Sequence, residues 1–195
     1  MVSMKSSIFN LQFSKERGFS LIETLVAVVI LVSAIVGPLT LAQRSIHSAV
    51  YARDQVIASF LAEEVIEYIR SVRDGNEHEG KNWLNGLSNC VGQLCMVDVT
   101  LDSGDAFDKC DNKKLPPYDS FCELLAFNAS RGWYGYKPKN DTAWVDTRFV
   151  REVQITTIPK GNNSDKEAKI EVTVRWKTGN LPERSVTVRD YIYDW

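Results

Sequence analysis

Few residues of this 195-residue chain have the type and spacing that chemistry needs. His47 and His78 are its two histidines, and neither has a serine or cysteine nucleophile motif beside it. No phosphate-cradling glycine loop and no dinucleotide fingerprint occurs. Asp98, Asp102, Asp105, Asp108 and Asp111 are hard oxygen donors of the kind calcium takes. Their spacing lacks the alternating ligands and closing glutamate of an EF-hand loop, which favours a solvated acidic loop. Cys90, Cys95, Cys110 and Cys122 allow three pairings. Closing the two short loops, 90 with 95 and 110 with 122, is preferred because local contacts form most readily. Zinc sites repeat a spacer of two to four residues, and the gap between Cys110 and Cys122 does not repeat the one between Cys90 and Cys95. No metal and no cofactor is expected. Trp133, Tyr134, Tyr136 and Trp144 are expected in the core rather than on a ligand platform.

One further group is chemically loaded by its surroundings. Between Phe19 and Ala42, 17 of 24 residues are apolar and Glu23 is the single charge. An ionised carboxylate costs about 2.5–3.5 kcal/mol at mid-membrane and less near the edge, so it usually has a partner. No positive charge follows it before Gln43. The 18 residues ahead carry a net charge of +2 and those after Ala42 one of −3, which the overall −2 conceals. An apolar run of this length crosses a bilayer as one helix, and basic residues ahead of it keep the N-terminus in the cytoplasm. The remainder is then exported, where cysteines form disulfides. With 44% apolar and 10% aromatic residues the chain is neither disordered nor polytopic, and its charge gives no reason to expect nucleic-acid binding. A secretory signal cut near Thr40-Leu41-Ala42, or an uncut anchor, would leave Glu23 unexplained.

Lys15-Glu16-Arg17-Gly18-Phe19-Ser20-Leu21-Ile22-Glu23 resembles the processing site of type IV prepilins, including the pseudopilins of type II secretion. The resemblance implies cleavage after Gly18 by a prepilin peptidase and methylation of the new N-terminal Phe19. It implies that Glu23 pairs, on assembly, with the terminal amine of a neighbouring subunit. Other pilin or pseudopilin subunits and an inner-membrane assembly platform would be the partners. The expected protein is a minor pilin or pseudopilin, since its globular part is large for an abundant subunit. It would not be an enzyme. An exported domain using residues 1–42 only for delivery is the alternative.

The elements that must position these groups follow from pattern. Residues 1–18 are the leader and 19–42 the transmembrane and assembly helix. Gly37-Pro38 predicts a kink or local unwinding over residues 34–38. Ile46, Val50, Ile57, Leu61, Val65, Tyr68 or Ile69, and Val72 mark one face of an amphipathic continuation over 43–75. Arg44, Arg53, Asp54, Glu63, Glu67, Arg70 and Arg73 fall on its solvated remainder, and Asp74-Gly75-Asn76 supplies the stop. From Phe19 to Arg73 such a helix runs roughly 80 Å, too long for a domain this size to bury, so its first half must lie in lipid or against other subunits. Residues 76–146 read as a loop-rich cysteine-containing region. Alternation from residue 147 onward, with turns at 160–163 and 178–180, predicts an antiparallel meander with one face on the helix. The fold class expected is α+β, a long N-terminal helix packed on a C-terminal antiparallel sheet, which is also pilin-like.

Overall fold

The computed structural model describes residues 18, 20–111, 118, 120–138, 141–159, 166–179 and 181–194. Residues 1–17 of the leader, Phe19 and the expected turn at 160–163 lie outside the described residues. The fold is α+β. Among the described residues one helix, α1 (Leu21–His78), precedes seven strands: β1 (Leu94–Val97), β2 (Phe107–Lys109), β3 (Leu124–Asn128), β4 (Trp133–Gly135), β5 (Trp144–Thr157), β6 (Glu167–Trp176) and β7 (Arg184–Tyr193). The chain divides into two compact units, 1–48 and 49–195.

The 14-residue β5 is the spine of the sheet. Along one edge it pairs β6, which pairs β7, and these three form the expected antiparallel meander. Along the other edge it pairs β3 near its start and β1 near its end, with β4 and β2 outside them. The four short strands, absent from the sequence reading of residues 76–146, have three to five residues each, too few to show a period of two.

The second half of α1 covers one face of this sheet. Ala58, Leu61, Ala62, Val65, Ile66 and Ile69 meet Val153, Ile155, Ile170, Val172, Val174, Trp176 and Ile192 in one core. Each fully buried branched side chain contributes about 1.5–3 kcal/mol. On the opposite face Tyr118, Cys122 and Val150 form a second small cluster with Leu94, Met96, Cys110 and Leu124. β5 is therefore buried on both faces from Phe149 to Val153.

Two expectations about α1 are corrected. Asp54 and Arg73 are buried rather than solvated, because each has a partner from the sheet region. Asp54 accepts from the Arg148 guanidinium at 3.0 Å and from the Thr178 hydroxyl at 3.2 Å. Arg73 donates to the Tyr193 carbonyl at 2.8 Å. The helix also passes the proposed stop. Gly75 stays helical and Gly80, at φ 65°, takes the left-handed cap. The Gly80 N–H donates to Glu77 O and the Lys81 N–H to Asn76 O, the paired closure of a Schellman motif.

Candidate functional site

Gly18 precedes the helix and is exposed, and Ser20 stands at its cap. The Ser20 carbonyl accepts from the N–H groups of Glu23 at 3.0 Å and Thr24 at 3.2 Å. Glu23 is thus the third helical residue, its carboxylate near the positive end of the helix dipole. Ser20-x-x-Glu23 has the spacing of a capping box, a signal the sequence offered and the reading above did not use. Among the described residues no cation pairs with Glu23.

From Leu21 to Leu41 the large apolar side chains of α1 are all exposed. The hydroxyls between them are internally satisfied: Thr24 donates to Leu21 O, Ser33 to Val29 O and Thr40 to Gly37 O, each at 2.8 Å. α1 is long and apolar enough to cross a membrane by length and composition. It runs helically through Gly37 and Pro38, so the local unwinding allowed for there is absent. Pro38 still deprives the helix of one backbone donor.

A family model described as the prokaryotic N-terminal methylation motif matches residues 13–37. Over that stretch the chain is type IV prepilin-like. The matched segment contains Gly18, Phe19, Glu23 and Gly37. Neither curated proteins nor solved structures give a match. The motif belongs with a structural rather than a catalytic family, implies processing by a prepilin peptidase, and joins here to a helix-on-sheet fold consistent with pilins.

In the 49–195 unit of this prepilin-like chain, polar groups hold the helix to the sheet. Arg151 projects from β5 into the core, fully buried, where its Nη1 donates to Leu61 O and to Glu64, both at 3.1 Å, and its Nη2 to Val97 O. Arg70 pairs with Asp190 of β7 at 2.6 Å. Beside Arg151 lies the buried Tyr136 hydroxyl, whose pKa burial pushes up to about 12, the guanidinium offsetting part of that rise.

The cysteines form two disulfides, Cys90–Cys95 and Cys110–Cys122, with Cα atoms 5.0 and 4.5 Å apart. The aspartates do not converge. Among the described residues no three His, Cys, Asp or Glu side chains are placed to share a metal ion. Asp98 instead caps a turn: its carboxylate accepts from the Thr100 N–H and hydroxyl at 2.9 and 2.6 Å and from the Tyr136 N–H at 3.0 Å. Gly135 fits closely there, since a Cβ would stand 2.9 Å from Asp98 Oδ1 and 3.1 Å from the Trp144 ring and force one of them to shift. Trp144 is buried and the Tyr136 hydroxyl enclosed, whereas Trp133 is half exposed under the Arg131 guanidinium at 5.4 Å.

Proposed function

We propose that this protein is a minor pilin or pseudopilin, a structural subunit of a type IV pilus or related secretion filament. Prepilin peptidase cuts after Gly18 on the cytoplasmic side and methylates Phe19. The chain then sits in the inner membrane as a single span with the 49–195 unit exported, until the assembly platform moves it into a filament. Gly37-Pro38 softens the helix for that transfer.

The observation that carries this reading is Glu23. It stands exposed in the first turn of a helix whose apolar surface from Leu21 to Leu41 has no cover, within the matched motif. An acid there is costly in lipid, and the amine created at Phe19 of a neighbouring subunit offsets that cost only on assembly.

Mass spectrometry of protein from native membranes tests the processing step. It should find a mature chain beginning at methyl-Phe19, and a chain beginning at Gln43 would refute it. Glu23→Ala should be cleaved normally yet be depleted from sheared filaments. Undiminished incorporation would sink the pairing.

A further inference from the structure

Among the described residues the sheet has one long open edge. β2 and β4, outermost elsewhere, have three residues each, whereas β7 has ten and pairs only β6. The Asp194 N–H donates to Lys166 O at 3.0 Å, in register with the pairing of Tyr193 and Glu167. Ladder bonds alternate along a strand, so the even-numbered residues of β7 turn their N–H and C=O groups to β6. Those of Ser185, Thr187, Arg189 and Tyr191 point away from the sheet, and none has a partner among the described residues. The next outward carbonyl, Tyr193 O, accepts from Arg73. Edge strands are ordinarily blunted by brevity, lysine, proline or a bulge. β7 has no lysine or proline, and its register with β6 is unbroken. Its charges on the α1 side are engaged, Asp190 by Arg70 and Arg184 over the Tyr51 ring.

The helix borders this edge. β7 runs alongside α1 in the same sense, its Arg184 lying 5.5 Å from the Tyr51 ring and its Asp190 2.6 Å from Arg70. Val56, Glu63 and Arg70 recur every seven residues, two helical turns, and so lie along the side that Arg70 turns to β7. Val56 is 54% exposed, and Glu63 is exposed with no partner among the described residues. Val186 and Val188 of β7 are half-buried against the core. The space beside β7 is therefore bordered by unpaired backbone groups, by apolar Val56, Val186 and Val188, and by an acid.

We propose that β7 takes an extended segment of another exported protein as an added strand. Outward groups recurring at every second residue match the N–H and C=O pattern of another extended backbone. The side chains of that segment alternate. On the α1 side it carries apolar residues and a lysine or arginine, received by Val56, Val188 and Glu63, and on the side of Thr187 and Arg189 it is polar. A second copy does not fit this place. In the antiparallel pairing used throughout β1 to β7, β7 against β7 is related by a two-fold axis perpendicular to the sheet. That axis reverses residues 49–78 of α1, so the two chains could not both arrive from the same membrane. The exclusion of a second copy rests on the single-span reading above, whereas the open edge does not.

Full-length protein extracted from native membranes into detergent is titrated with a short synthetic peptide in which threonine alternates with valine, lysine and valine. Amide hydrogen exchange should slow at Thr187, Arg189 and Tyr191, whose N–H groups point outward. It should not change at Val186, Val188 and Asp190, which already bond β6. Thr187→Pro removes an outward donor and leaves the β6 ladder intact, so it should fold yet bind the peptide about tenfold more weakly. Glu63→Lys should weaken the lysine peptide about tenfold and strengthen a counterpart carrying glutamate, a comparison that stands even if Thr187→Pro unfolds. No binding at millimolar peptide, equal protection of both sets of amides, or an affinity indifferent to the Glu63 exchange overturns the inference. So does a dimer of the chain that the peptide displaces, which would give the edge to a second copy. Methyl-Phe19 is scored in the same samples. Processed chain that binds no peptide overturns the added strand and leaves the filament reading standing. Binding by a chain that begins at Gln43 supports the added strand and overturns the filament reading.

Discussion

Arg151 ties the helix to the sheet from a fully buried position. Its place on the inward face of β5 was legible from alternation with Phe149 and Val153. Its partners, two backbone carbonyls and Glu64, were not, because they lie 54 to 90 positions away in sequence. Arg151→Ala should cost about 3–5 kcal/mol, since it strips a buried charge from its acceptors. Glu64→Gln should cost far less, because Glu64 is 43% exposed and water replaces the lost charge. Denaturant melts of the two variants in detergent give the comparison, and equal losses would refute it. Tyr136 makes a pH-dependent prediction. Its folded pKa of about 12 lies above the ordinary 10.0, so the fold favours the neutral phenol. That contribution is complete below pH 10 and is lost as the pH climbs toward 12. Thermal melts across this window should fall more steeply for the wild type than for Tyr136→Phe, and parallel slopes would contradict the assignment.

Elements were legible in proportion to their length. β5, β6 and β7 announce themselves by alternation over ten or more residues. The helix face was seen through its large apolar residues, but Ala58 and Ala62 carry little hydrophobic signal, and Asp54 and Arg73 argue against burial until their partners are known. The helix end was misplaced by five residues because Gly75 and Gly80 are equivalent in sequence and differ only in φ. A paired experiment separates them. Gly75→Ala should raise the melting temperature, a helical glycine costing about 0.5–1 kcal/mol relative to alanine, and open space surrounds the position. Gly80→Ala should lower the melting temperature, a loss of about 1–2 kcal/mol in stability, since a Cβ is strained at positive φ. If both changes act alike, the Schellman assignment fails. Among the short elements, Cys110–Cys122 holds the second cluster over β5. Replacing both cysteines with serine should cost about 2–4 kcal/mol and loosen packing on Val150, read as faster hydrogen exchange in β5.

For the whole molecule, the architecture and the processing motif were readable from sequence because each rests on a long or closely spaced pattern. The ion pairs needed the structure, since they join residues scattered over β5, β7 and α1. The attachments of α1 to the rest of its unit have a mechanical consequence. Asp54 to Arg148, Glu64 to Arg151, Arg70 to Asp190 and Arg73 to Tyr193 are spread over 20 residues of helix, about 28 Å of its axis. A pull along that axis loads these bonds in shear, all at once. A pull across it would peel them one by one. A helix fastened in this way transmits tension into the sheet as a rivet line does, so its greatest resistance to rupture lies along its own length.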